Sequence, residues 1–198
     1  MKQYYDLRAP EYDDWYLGRG GFVGTRDEDA WKADLARLVE VIRGLAPART
    51  LDVACGTGFL TRHLRGELTC LDQSARMLAI AAERVPHAQI VHADAIPLPF
   101  ADKSFQRLFT GHFYGHLEER ERLAFLGEAR RVADELVFVD SSQAHSTVAV
   151  EWQPRFLDDG SEWEVYKRFF TGEGLAKELG GGEVLHEGTW FVVVRAPA

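Results

Sequence analysis

The chain has 198 residues, enough for one domain whose core needs no disulfide or metal support. Its composition, 46% hydrophobic and 27% charged, is that of a soluble globular protein, and no apolar run approaches the roughly 20 residues of a membrane-spanning helix. The formal charge of −8 argues against extended contact with a nucleic-acid backbone. The opening residues MKQYYDLRAPEYDD lack the apolar segment of a secretory leader, so a cytoplasmic protein is expected.

Residues 4–24 are aromatic, acidic and glycine-containing, without sustained periodicity. Tyr4, Tyr5, Tyr12, Trp15 and Tyr16 are too many aromatics for a solvated tail, so a short helix is expected first. A mobile loop through Gly18-Arg19-Gly20-Gly21 should follow. Trp31, Leu35, Leu38, Val39, Ile42 and Leu45 recur at helical spacing, and Gly44 and Pro47 end that helix. Strands are then expected at 51–54, 68–71, 90–92, 105–110 and 136–139. Helices are expected between them at 59–64, 74–85 (Ser74 as N-cap) and 118–132. Such alternation predicts an α/β fold, a parallel sheet with helices on both faces and ligands outside the strands' C-terminal ends. Asp52, Asp72, Asp94, His112 and Asp140 fall at those ends. Residues 141–160 read as an irregular loop or excursion and 163–170 as extended chain. A short helix at 172–179 and an antiparallel hairpin of 183–186 with 190–195 close the chain. Cys55 and Cys70 fall in or beside buried strands and are expected as free thiols.

The stretch 50–64, TLDVACGTGFLTRHL, runs from a strand through Cys55-Gly56-Thr57-Gly58 into a helix start. Glycines there remove side chains where a ligand approaches, and unpaired N–H groups face it. A dinucleotide turn wants Gly-x-Gly-x-x-Gly, but the third position is Thr61, and Asp52 would oppose a diphosphate. S-adenosyl-L-methionine has no phosphate and a cationic end, so it tolerates that acid. Asp72 can accept from both ribose hydroxyls and Asp94 from an adenine amino group.

Together, LDVACGTGFLT, LTCLDQSARML and HADAIPLPF resemble the class I S-adenosylmethionine-dependent methyltransferases, particularly the small-molecule type that includes ubiquinone- and menaquinone-biosynthesis enzymes. The YYDLRAPEYDD opening is similar to the start of many such chains, and the resemblance covers roughly residues 3–140. It implies a Rossmann-like fold, with a seven-stranded, mostly parallel sheet and an antiparallel C-terminal hairpin. The chain would form one domain, 1–198, with an N-terminal lid (1–28) and a substrate-side excursion (141–170). The resemblance implies that Gly56 and Gly58 line the methionine part, with Asp52 and Ala54 beside it. Asp72 would hold the ribose, Gln73 and Met77 would flank the adenosine, and Asp94 and Ala95 would meet the adenine. Many relatives have Phe-Asp where this chain has Phe105-Gln106, read here as a solvent-edge or structural change.

The implied reaction is in-line methyl transfer to an oxygen, nitrogen, carbon or sulfur atom of a small molecule, releasing S-adenosyl-L-homocysteine. Positioning supplies much of the acceleration, and a base is needed only if the acceptor must lose a proton. In Gly111-His112-Phe113-Tyr114-Gly115-His116, where the family places its substrate pocket, His112 is the first candidate base or acceptor-orienting group. Tyr114 and His116 come next, although His116 serves equally as a capping or packing residue. Tyr4, Tyr5 and Tyr12 form a lid or simply pack; Trp152, Phe156 and Trp163 wall the pocket or sit in the core. His63, His87, His145 and His186 lack partners at metal-ligand spacing, so no metal is expected. Arg120, Arg122, Arg130 and Arg131 alternate with glutamates, a solvated face and no nucleic-acid patch. The expected partner is a small-molecule substrate, with no membrane span, in a monomer or homodimer. The alternatives are a cofactor-binding partner or regulatory protein without transferase activity, and a dinucleotide oxidoreductase, against which Asp52 and Thr61 speak.

Overall fold

The computed structural model describes residues 2–198. Two short helices, α1 (Lys2–Arg8) and α2 (Asp14–Leu17), open the chain. Gly18 caps α2 at φ +62°, and a 3-10 turn, Gly20–Phe22, occupies the expected loop. The helix α3 (Glu28–Gly44) starts where the Asp27 carboxylate accepts from the amides of Asp29 and Ala30. After it come β1 (Thr50–Val53), β2 (Leu68–Asp72), α4 (Ala75–Arg84), β3 (Gln89–His92), β4 (Phe105–Gly111), α5 (Glu119–Val132) and β5 (Ala133–Ser141). As expected, Ser74 caps α4, its hydroxyl accepting from the Met77 amide at 3.2 Å. The chain finishes with β6 (Val150–Phe156), β7 (Glu162–Arg168), α6 (Gly172–Glu178), β8 (Glu183–Glu187) and β9 (Phe191–Pro197).

Seven strands form one sheet in the order β3-β2-β1-β4-β5-β9-β8, parallel through β5 and antiparallel at β9 and β8. The central strands are buried on both faces, which explains their near-continuous apolar runs. On β5, Leu136 and Phe138 face a core shared with α5 and α6; Val137 and Val139 face the core beneath α3. On β9, Val192 and Val194 take the first side and Phe191 and Val193 the second. The chain runs outward from β1 to β3 and returns to β4 on the other side of β1. The switch point therefore opens between β1 and β4, where α/β sheets bind ligands.

Four local expectations are corrected. The helix expected at 59–64 is one 3-10 turn, Thr61–His63. There the Thr61 hydroxyl donates to Asp52 at 2.5 Å, and Gly66 (φ +110°), tight against the backbone of Ala48, bends the chain into β2. Within 141–160 lies a real strand, β6, paired antiparallel with β7 in a separate two-stranded sheet, with Trp152 opposite Tyr166. Its alternation is inverted: Val150, Trp152 and Phe156 face outward, and Glu151, Gln153 and Arg155 are half-buried. Phe156, expected in the wall or core, is 69% exposed. Arg122, expected on a solvated face, is buried; it donates to the Leu117 carbonyl at 2.9 Å and lies 3.5 Å from Glu178. The departure at Gln106 is structural: its amide oxygen accepts from Arg49 N at 2.8 Å, at the end of the sheet away from the switch point.

Candidate functional site

A cavity of about 370 Å³ opens at the switch point. Ala54 follows β1 at φ +57°, and Gly56 turns at φ +55° with Tyr12 above it. The Gly58 amide donates to the Cys55 carbonyl at 3.0 Å and closes the turn. Asp72, ending β2, ties that turn to the start of α4: one carboxylate oxygen accepts from Gly56 N at 2.9 Å, the other from Ser74 N at 2.8 Å. Ala54, Gly56, Asp72, Gln73, Met77, Asp94 and Ala95 all line the cavity. Gly58 lies behind it, where a Cβ would sit 3.2 Å from Val85 and 3.4 Å from Ala81.

Asp52 also lies behind the wall, beside a small gap shared with Ala54 and Gly111. One of its oxygens accepts from Thr61; the other is buried without a partner. Burial pushes its carboxyl up to about 8, against the Thr61 hydrogen bond. An orphaned buried acceptor beside a glycine turn fits a ligand with a cationic end.

His112 ends the excursion of β4 at φ +55°, its amide donating to the Val139 carbonyl at 2.8 Å. For a residue with a Cβ that backbone costs roughly 1–2 kcal/mol, held here by the surrounding packing. Its ring lies edge-on to Trp15, 4.8 Å between centroids, and both ring nitrogens are buried without partners. Burial, with Lys167 nearby, pushes it down to about 3, Asp140 opposing. His116 donates from Nδ1 to the Tyr166 carbonyl at 2.7 Å, leaving Nε2 as an acceptor. It too is pushed down to about 3, first by burial and then by Lys167.

Both imidazoles line the first cavity and a second one of about 290 Å³, as do Tyr5, Tyr12 and Val165. Tyr4 is fully buried against Trp163, Leu157 and Val165 and borders only the second cavity. Trp152 stands at the rim of the first, 57% exposed. Tyr114, expected beside His112, instead points into the core: its ring packs on Phe138 and Phe170, and its hydroxyl donates to Glu178 at 3.1 Å.

Sequence reasoning missed the fastening of the N-terminal segment. Asp13 accepts from the Thr57 hydroxyl at 2.6 Å and from Arg84 at 2.5 Å, while Arg84 also donates to the Thr57 carbonyl at 2.9 Å. The Ser74 hydroxyl donates to Asp6 at 2.5 Å, and Tyr16 stacks on Phe59 at 4.1 Å. The acid-rich EYDD was the available signal, but nothing in it names Arg84.

These imidazoles make an expected result. His63, His112, His116 and His145 all sit below their ordinary 6.5. Between that value and the folded ones the unfolded chain binds more protons, so stability should fall as pH drops through 6.5 toward 3, then level off. Asp52, raised to about 8, acts in the opposite direction, as do Asp72 and Glu11, both raised by burial, so three carboxyls oppose four imidazoles. Urea midpoints at pH 7 and pH 5 check this; no loss at the lower pH would refute it.

Among the described residues no group of three or more His, Cys, Asp or Glu is placed to hold a metal ion, and no helix is long and apolar enough to cross a membrane. Cys55 and Cys70 are free.

Comparison with known proteins adds the following. A family model described as "Methyltransferase domain" matches residues 50–135. The demethylmenaquinone methyltransferase of Thermotoga maritima is 38% identical over 101 residues, 48% of this chain and 43% of that one. An uncharacterized methyltransferase of Alkaliphilus oremlandii is 26% identical over 147 residues, 71% of this chain and 67% of that one. The chain spans about half the length of most of the curated relatives it matches. The solved DhpI-SAM-HEP complex superposes with a TM-score of 0.73 at 27% identity, covering 98% of this chain and 95% of that one.

Proposed function

We propose that the chain is a class I S-adenosylmethionine-dependent methyltransferase that transfers a methyl group to a small-molecule acceptor, a reading supported by the methyltransferase-domain match and by its methyltransferase relatives. One observation carries this reading. The Asp72 carboxylate, anchored at both oxygens to backbone amides, faces a cavity that adjoins a second cavity across His112. The demethylmenaquinone methyltransferases among its relatives support an acceptor of small-molecule size.

When bound, S-adenosylmethionine supplies a methyl group on a sulfonium, already activated for displacement. Asp72 would hold the ribose hydroxyls, Asp94 and Ala95 the adenine, and Gly56 and Ala54 would leave room for the methionine part. The orphaned oxygen of Asp52 favours the ammonium end of that ligand. His112 has one free donor and one free acceptor at the shared wall of the two cavities, so it can orient the acceptor in line. A ring held near 3 stays neutral at physiological pH, which favours orientation over storage of a proton. Tyr5 and Tyr12, carried by the N-terminal segment over both cavities, would exclude water as a lid. Residues 141–170 would supply the acceptor side.

Isothermal titration with S-adenosylhomocysteine tests the cofactor, and S-adenosylhomocysteine release with candidate acceptors tests the transfer. No binding at millimolar ligand would sink the proposal; binding without transfer to any acceptor would leave a cofactor-binding regulatory protein. His112→Ala should lower turnover by about 100-fold while cofactor affinity moves by no more than about threefold. Equal loss of both would remove His112 from the acceptor side.

A further inference from the structure

The second cavity is cationic in a chain that is acidic. Arg8, Arg26, Arg155 and Lys167 line it, and no aspartate or glutamate does, although the whole sequence carries a net charge of −8. Lys167 has a partner: its ammonium lies 3.1 Å from Asp140. Among the described residues none of the three arginines is paired with a carboxylate. Each is positioned without being neutralised. Arg8 donates to the Tyr4 hydroxyl and lies 5.2 Å from the centre of the Tyr12 ring. Arg26 sits 3.2 Å over the Trp31 ring and donates to the Trp15 carbonyl. Arg155 donates to the Gln153 side-chain oxygen and, at 3.3 Å, to the Pro154 carbonyl.

Half-buried guanidinium groups without a counter-charge cost free energy unless something else neutralises them. The inverted pattern of β6 points the same way: a strand that turns Gln153 and Arg155 inward and Trp152 and Phe156 outward is built around a polar occupant. His112 is independent of the arginines. It is 8% exposed, with both ring nitrogens unpartnered, and it borders this cavity as well as the first.

Resting on the methyl-transfer reading, we propose that the second cavity is the acceptor site and that it selects a small organic acid. The acid group is held by Arg8, Arg26 and Arg155, and the apolar body lies against Trp15, Trp31 and Phe169. The three arginines border the second cavity alone, whereas His112 and His116 border both. The oxyanion therefore lies away from the first cavity, and the end of the acceptor that meets His112 carries the methyl-accepting atom. Arginine forks suit carboxylate and phosphate oxygens alike, so either acid satisfies the site.

The test titrates benzoate, phenyl phosphate and the neutral isostere benzamide into protein saturated with S-adenosylhomocysteine, and again into the unloaded protein. At least one anion should bind about tenfold or more tightly than benzamide, since charge-assisted hydrogen bonds to the acid are absent from the amide. A preference between benzoate and phenyl phosphate assigns the acid as carboxylate or phosphate. Arg155→Gln and Arg8→Gln, checked for native melting, should each remove most of the preference for the anion. Arg155→Gln should leave S-adenosylhomocysteine affinity within about twofold, because Arg155 does not border the first cavity. Anion binding no tighter than benzamide, no anion binding at millimolar concentration, or a preference that survives both substitutions would overturn the assignment. Failure of S-adenosylhomocysteine to bind would count against the methyl-transfer reading instead, and the titration of unloaded protein would still report on the arginines.

Discussion

Replacing Asp72 with alanine is expected to weaken S-adenosylhomocysteine binding by roughly 100-fold or more, from two lost hydrogen bonds to a charged group. The carboxylate has two duties. Each of its oxygens takes one backbone amide, Gly56 N at 2.9 Å and Ser74 N at 2.8 Å, and so fixes the glycine turn relative to the first turn of α4. In the proposed site each oxygen also has a lone pair left to accept from a ribose hydroxyl in the first cavity. Alanine removes the ligand contacts and strands two amides at once, so destabilisation of about 1–3 kcal/mol should accompany the lost affinity. Asp72→Asn separates the two duties. Its shape is kept, but one oxygen becomes an NH2 that must face a backbone N–H, so affinity should fall with less change in melting. Titration calorimetry beside urea melts measures both quantities. Affinity of the alanine variant within about threefold of wild type would remove Asp72 from cofactor binding.

The parts of the site that were legible in the sequence share one property: their signal is local. The sheet could be read because its central strands are apolar on both faces and punctuated by Gly56, Gly58 and acids at their ends. The first cavity could be read because Ala54, Gly56, Asp72, Asp94 and Ala95 follow consecutive strands, and a parallel sheet brings such ends together. The proposed acceptor side has no such locality. Arg8 lies on α1, Arg26 precedes α3, Arg155 lies on β6 and Lys167 on β7, and no spacing rule connects them. The strand β6 reads as a loop or excursion in the sequence because its polar side faces a cavity, the reverse of what a core-facing pattern predicts. Tyr114 departs from its expected place for a local reason. It stands two residues from His112, but the 3-10 turn Tyr114–His116 swings its ring into the core.

Asp140→Ala is expected to destabilise the fold by about 3–5 kcal/mol, because it leaves the Lys167 ammonium buried without its counter-charge. Asp140 is fully buried and accepts from Gly115 N at 2.7 Å, from Ser141 N at 2.8 Å and from Lys167 at 3.1 Å. Burial acts to raise its carboxyl, yet Lys167 and the two imidazoles hold it below the usual range. The double variant Asp140→Ala with Lys167→Met should recover part of the loss, since the lone charge is gone. Recovery stays incomplete because Gly115 N and Ser141 N remain without an acceptor. Additive single effects would show that the pair is not coupled. Lys167→Met alone should also change the pH profile. Without the ammonium, His112 and His116 rise toward their ordinary 6.5, which narrows the interval in which the unfolded chain binds more protons than the folded one. Asp140 rises as well, and a carboxyl raised in the folded state gains stability as pH falls. Both changes have the same sign, so the loss of stability between pH 7 and pH 5 should be smaller in Lys167→Met than in wild type. A steeper loss would mean that Lys167 does not set the charge state of the two imidazoles at the junction of the cavities.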